Sequence, residues 1–384
     1  MKIECVATSR VPSSTANSIQ VMKVCEALAA LGHQIKLCVP AFGETAAWDT
    51  LAEQYGLKTP FEIEWLPFRK ELKQYDFCMQ SASLAKEWKA DTMYTWALQA
   101  AVFAQRRALP VVMEFHDLPT GQFGPFLFRR YIAGRSPTLT LCTTRALIQK
   151  LENQYGFIFD ASVVRVAPNG TDPEVYARLP QPSAARAQLG LPDQFSVVYS
   201  GHFYPGRGMD LLVGLAQALP GIQFVWVGGK PEDVQPWKER LSELKITNVI
   251  ITGFIHKSKL PLYQAAADIL VMPYGSQIEG SSGGDIAAVI NPMKMFDYLA
   301  SGRAIVATDL PVLHEVLNGT NAIFCPAGDM PAWIAAISAL QQDSITRASL
   351  GKKAKADSMQ YSWLKREEGA IAQLEALIPT DKKA

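Results

Sequence analysis

Short apolar runs alternate with longer stretches at helical spacing along most of the chain, and the rhythm begins at the first residues. Residues 3–7 form a compact apolar run, the pattern of a buried strand. A polar, turn-rich loop, 8–17 (TSRVPSSTAN), follows it. Residues 19–30 then place Ile19, Met22, Val24, Ala27 and Leu28 largely on one side of a helix, Gly32 stops it, and 34–39 reads as a second strand. This βαβ opening predicts a parallel sheet with helices on its faces. Further strand-like runs lie at 61–66, 92–96, 111–115, 138–143 and 163–167, with a helical stretch at 83–89.

The turn signal PNG at 168–170 precedes a segment, 172–192, whose four prolines read as a linker. The same grammar then restarts. Strands are expected at 196–200, 222–227, 248–251 and 268–272, and helices at 211–219, 237–244 and 258–267. The fold class expected is therefore α/β, with two doubly wound Rossmann-like domains facing a deep interdomain cleft. The domains are expected at 1–172 and 173–355, followed by a C-terminal helical segment, 356–384, that packs back toward the first domain.

Composition narrows this picture. A chain of 384 residues is long enough for two cores, and 48% hydrophobic residues exclude a disordered chain. A net charge of +1 argues against nucleic acid as a partner. The cysteines at 5, 25, 38, 78, 142 and 325 are scattered without a CxxC, which reads as reduced thiols and a cytoplasmic setting. The opening MKIECVATSR reads as a strand rather than a signal peptide, and no window approaches the ~18 apolar residues of a membrane span.

Candidate chemistry concentrates in 281–311, SSGGDIAAVINPMKMFDYLASGRAIVATDLP. A loop with Gly283 and Gly284 leads into a helical pattern at 291–300, Gly302 stops that helix, and a strand-like run at 304–308 follows. An amide-rich loop feeding a helix is a way to hold phosphate. Lys294, in the first helical turn, opposes the helix dipole, so it either meets a phosphate or is solvated. Asp297 can accept hydrogen bonds from a ribose diol. Arg207, between two glycines in the loop 201–208 (GHFYPGRG), can grip phosphate oxygens. His116 directly follows the strand-like run 111–115, and the carboxyl end of a strand is where α/β sheets place chemistry. His116 and Asp117 lack the spacing of a metal pair, so no metal site is expected. The stretch 121–131 (GQFGPFLFRRY) mixes aromatics with Arg129 and Arg130. It reads either as an internal helix or as a surface that rests on an anionic membrane, making the chain peripheral at the inner membrane face.

Several of these pieces, in order, resemble the retaining GT-B glycosyltransferases of family 4. Residues 291–317, NPMKMFDYLASGRAIVATDLPVLHEVL, are similar to that family's donor-site motif, and 199–212, YSGHFYPGRGMDLL, to the opening of its donor domain. NSIQVMKVCEALAALGHQIKLCVP at 17–40, EFHDLP at 114–119, PNGTD at 168–172 and YSWLKR at 361–366 complete the ordered set. The resemblance implies a nucleotide-diphosphate sugar as donor substrate, a hydroxyl acceptor, retention of anomeric configuration, and no cofactor or metal. It gives His116 a contact to the transferred sugar, Arg207 the diphosphate, and Asp297 the ribose. Two positions depart from the family pattern. His202 stands where an earlier basic residue is common, and Val289 stands where the first Glu of a paired-Glu motif would meet sugar hydroxyls. Glu279, Asp285 or the amides of Gly283 and Gly284 are the substitutes at hand. The two departures leave open a second reading, a catalytically degenerate GT-B protein that acts as a nucleotide-sugar binding or scaffold partner.

Overall fold

The computed structural model describes residues 1–280 and 284–379, and these form two compact units. The first comprises residues 1–169 together with 363–379; the second comprises the described residues of 170–362.

The first unit is built on β1 (Lys2–Val6), β2 (Gln34–Pro40), β3 (Glu62–Leu66), β4 (Thr92–Thr95), β5 (Val111–Phe115), β6 (Thr138–Cys142) and β7 (Val164–Val166). They lie in the order β3-β2-β1-β4-β5-β6-β7, and each pairing is parallel. Strands buried on both faces must be apolar throughout, and β5 (VVMEF) is buried along its whole length. Glu114 is the exception in it. The Trp363–Leu377 helix belongs to this unit and packs on the Ala16–Ala30 helix and on β6.

The second unit continues with β8 (Ser196–Ser200), β9 (Gln223–Val227), β10 (Val249–Gly253), β11 (Ile269–Met272), β12 (Ala304–Thr308) and β13 (Ile323–Cys325). Their order is β10-β9-β8-β11-β12-β13, again parallel throughout. The strand order reverses between β8 and β11, and the loops leaving these strands therefore diverge and open a crevice at the sheet's carboxyl edge. The core here is closed by Trp226 and Trp333 with Phe224, Leu212 and Val306.

The two doubly wound sheets are those expected from the apolar rhythm. The structure corrects the reading of 172–192 as linker. Pro182 occupies the first turn of a helix, Pro182–Leu189, where its missing N–H costs nothing. Ala185 is buried with Ala265 and Ala266, and Arg186 pairs with Asp193 and Asp268. The helix expected at 237–244 begins earlier, at Pro231, and runs through Pro236.

The loop after β8 depends on glycine. Gly208 has φ +81°, and a β-carbon there would lie 1.6 Å from the Pro273 carbonyl oxygen. Gly208→Ala is therefore expected to cost at least ~2 kcal/mol in urea unfolding. Gly221→Ala, where nothing lies within 4 Å of the added carbon, should cost well under that. Equal midpoints for the two variants would refute the close approach.

Candidate functional site

In the second unit, three tyrosines organise the end of β8. Tyr298, from the helix Met293–Ser301, accepts a hydrogen bond from the Ser200 backbone N–H at 2.8 Å and so ties that helix to the strand. Tyr199 donates to the His202 carbonyl at 2.7 Å, which folds the loop back. Tyr274 lies just beyond β11, fully buried.

Against these rings stand two cations. Lys294 places Nζ 3.9 Å from the Tyr199 ring centroid and 5.5 Å from that of Tyr274. The Arg207 guanidinium lies 5.4 Å from the same Tyr274 centroid. The residue Lys294 is half-buried, but its Nζ is shut off from solvent and has no hydrogen-bond partner among the described residues. Gly201 makes room for it, since a β-carbon there would sit 2.6 Å from Nζ. Burial, and after it the nearby Arg207 charge, hold the Lys294 ammonium well below the usual lysine range. Ring faces offset part of the cost of a buried ammonium, but an unpaired charge away from water remains expensive. The start of the Met293–Ser301 helix, with no acidic residue in its first turn, adds positive potential at the same place. The arrangement suits an anion with several oxygens, as a diphosphate has.

The other sequence-derived candidates fall in different surroundings. His202 stacks on Tyr204, with ring centroids 4.8 Å apart and planes 5° from parallel. Gly284 is exposed at φ +82°, with nothing within 4 Å of an added β-carbon. Gly283 lies outside the described residues. Asp297, expected to meet a ribose, is 3% exposed: one carboxylate oxygen accepts from the Thr171 hydroxyl at 3.0 Å and the other is bonded to Lys257 Nζ. Lys257 has no local sequence signal, because it lies 40 positions away. Val289 is buried and offers the site no carboxylate. Asp285 accepts from the Ile278 and Ala287 N–H groups at 2.9 Å each, shaping the loop, while Glu279 is exposed. Among the described residues no cluster of three or more His, Cys, Asp or Glu side chains could hold a metal ion.

In the first unit, His116 stands at the end of β5 with its side chain 38% exposed. Its Nε2 is 2.8 Å from Glu114 Oε1. Glu114 is fully buried and also accepts from Gln20 Nε2 at 2.7 Å, Tyr94 Oη at 2.6 Å and Arg366 Nη2 at 2.5 Å. Burial by itself would raise this carboxyl, but Arg366, His116 and Tyr94 together outweigh it and hold it down at about 2. Residues two apart on a strand share a face, so Glu114 beneath His116 was visible in the sequence; Arg366, 252 positions away, was not.

Along 121–131 the structure divides the side chains. Phe128 and Tyr131 are buried, with Phe128 packed 4.3 Å from Tyr155 between centroids. Phe123 and Phe126 are 51% and 55% exposed, beside exposed Arg129 and Arg130. Among the described residues no helix is long and apolar enough to cross a membrane.

Comparison with known proteins gives this geometry a context. The family model for glycosyltransferase family 4 matches residues 18–175, and that for glycosyl transferases group 1 matches 194–343. The alpha-galactosylglucosyldiacylglycerol synthase of Streptococcus pneumoniae is 27% identical over 206 residues, 52% of this chain and 51% of that protein. The sulfoquinovosyl transferase of Arabidopsis thaliana is 23% identical over 281 residues, 69% of this chain and 51% of that protein. The chain thus spans about half the length of these curated relatives. The crystal structure of Anabaena HepE in complex with UDP superposes with a TM-score of 0.73 at 20% identity, covering 98% of this chain and 100% of that one, a likeness of fold. With one model on each unit and the fold shared end to end, the chain belongs to the GT-B glycosyltransferases of family 4.

Proposed function

We propose that the chain is an active glycosyltransferase that moves a hexosyl group from a nucleotide-diphosphate sugar to a hydroxyl acceptor with retention of configuration. In this reading the second unit binds the donor and the first the acceptor. The observation that carries it is the convergence of Arg207 and Lys294 on one tyrosine ring, with Lys294 Nζ buried and without a hydrogen-bond partner among the described residues. As the bond from the anomeric carbon to the diphosphate breaks, negative charge grows on the leaving group. Arg207, a Lys294 that takes up its proton as the anion binds, and a helix N-terminus stabilise that charge. The acceptor oxygen forms the new bond on the face the diphosphate leaves, and its proton passes to a departing phosphate oxygen. His116 meets a hydroxyl of the transferred sugar. Exposed backbone at Gly284 serves the sugar where Val289 brings no carboxylate. Since HepE was crystallised with UDP and with UDP-glucose, uridine donors are the first to test.

Exposed Phe123 and Phe126 beside Arg129 and Arg130 support a lipid-borne acceptor and a peripheral position at the cytoplasmic membrane face. The six buried, unpaired cysteines accord with that compartment.

Arg207→Ala is expected to lower turnover of a cognate nucleotide sugar by ~10²-fold or more, and near-wild-type turnover would refute the placement. Binding of UDP should draw a proton onto Lys294, because an anion raises a lysine that burial has lowered. Calorimetry at pH 8 in buffers of different ionisation enthalpy should show more proton uptake by wild type than by Lys294→Met; equal uptake contradicts the site. For the membrane reading, wild type should sediment with phosphatidylglycerol vesicles and the Phe126→Ser/Arg130→Glu double variant should not. Sedimentation of both alike would remove this face from consideration.

A further inference from the structure

The buried side of His116 is more elaborate than a histidine at a strand end requires. Five side chains converge there within the first unit: Gln20 from the Ala16–Ala30 helix, Tyr94 from β4, Glu114 from β5, and Arg366 and Glu367 from the Trp363–Leu377 helix. Arg366 is gripped from several sides. Besides Glu114 it donates to the Pro168 carbonyl at 2.8 Å, the Ala167 carbonyl at 3.2 Å, Tyr94 Oη at 3.1 Å and Glu367 Oε1. A guanidinium with this many acceptors has one orientation, and it fixes the carboxylate opposite it.

An ionised carboxylate can only accept hydrogen bonds. The ring nitrogen facing Glu114 therefore carries the proton, and in neutral His116 the other nitrogen, Nδ1, is bare. Nδ1 has no partner among the described residues, on a side chain that is partly exposed. We propose that Glu114, clamped by Arg366, is a positioning residue that presents His116 with Nδ1 outward as a hydrogen-bond acceptor for a substrate hydroxyl. That the hydroxyl belongs to a sugar rests on the glycosyltransferase reading; the orientation itself does not.

The charged groups around the imidazole are Glu114 directly, Arg366 and Glu367 behind it, and Asp117 next in the chain, whose carboxylate accepts from the Leu118 N–H at 2.7 Å. Burial first, and the Glu114 charge with it, push Glu367 up to about 7 against the pull of Arg366, so around neutral pH Glu114 is the dominant anion of the cluster.

The test is nitrogen-15 imidazole NMR of the full chain, with His116 assigned by its absence in His116→Gln. In the wild type at high pH, His116 should carry its proton on Nε2 with Nδ1 bare. Glu114→Gln keeps the size but removes the charge, and its amide can donate as well as accept, so His116 should become a mixture of the Nε2-protonated and Nδ1-protonated forms. Tyr94→Phe disturbs the same cluster with the charge intact, and should keep the proton on Nε2. With a cognate donor, Glu114→Gln should slow turnover roughly tenfold or more and leave the donor KM little changed. A proton on Nδ1 in neutral wild type overturns the proposal, and so does an unchanged tautomer in Glu114→Gln. The wild-type spectrum decides even where the variant does not fold. The expected tautomers with no turnover of any nucleotide sugar would uphold the orientation and defeat the glycosyltransferase reading instead.

Discussion

Two basic side chains, Arg207 and Lys294, held side by side with no ion pair among the described residues, set the terms for the second unit. Burying an ammonium costs several kcal/mol unless something pairs with it, and here Tyr199 and Tyr274 supply only ring faces to Lys294. The sheet brings the two segments together. Its strand order reverses between β8 and β11, so the loop bearing Arg207 and the segment bearing Lys294 leave neighbouring strands at one edge. Gly208 lets its loop approach the Pro273 carbonyl where a β-carbon would collide, and Gly201 leaves room for the tip of Lys294. A ligand with closely spaced anionic oxygens resolves the electrostatic cost, and the departing half of a nucleotide sugar is such a ligand. On the proposed function, that cost is what the site turns into stabilisation of a leaving group.

The first unit solves a different problem. Around Glu114 the buried charges are paired, and the pairing orients a side chain. Arg366 reaches β5 from the far end of the chain and meets Glu114, whose other oxygen takes the Tyr94 hydroxyl. The result is a single exposed imidazole with a fixed inner partner.

The fold was legible because parallel strands buried on both faces must be written as near-continuous apolar runs, and VVY, ILVM and AIVA are such runs. Elements that proline disguised were less legible. The helices Pro182–Leu189 and Pro231–Glu243 both start on proline, which tolerates the first turn although it signals a break elsewhere. At three residues β13 is too short for periodicity to register. Arg207 and Lys294 could be nominated because glycine spacing and helix position are local. Their convergence on Tyr274 could not, nor could the engagement of Asp297 by Lys257 and Thr171, because these are contacts between segments far apart in sequence. Sequence also placed the aromatics of 121–131 as one group, whereas helical geometry turns Phe128 and Tyr131 inward and leaves Phe123 and Phe126 outside.

The most direct measurement is a crystal structure of the chain with UDP. The account predicts diphosphate oxygens within ~2.7–3.2 Å of Lys294 Nζ and of the Arg207 guanidinium, next to the start of the Met293–Ser301 helix. A nucleotide bound elsewhere, with Lys294 Nζ still enclosed and unpartnered, would contradict it.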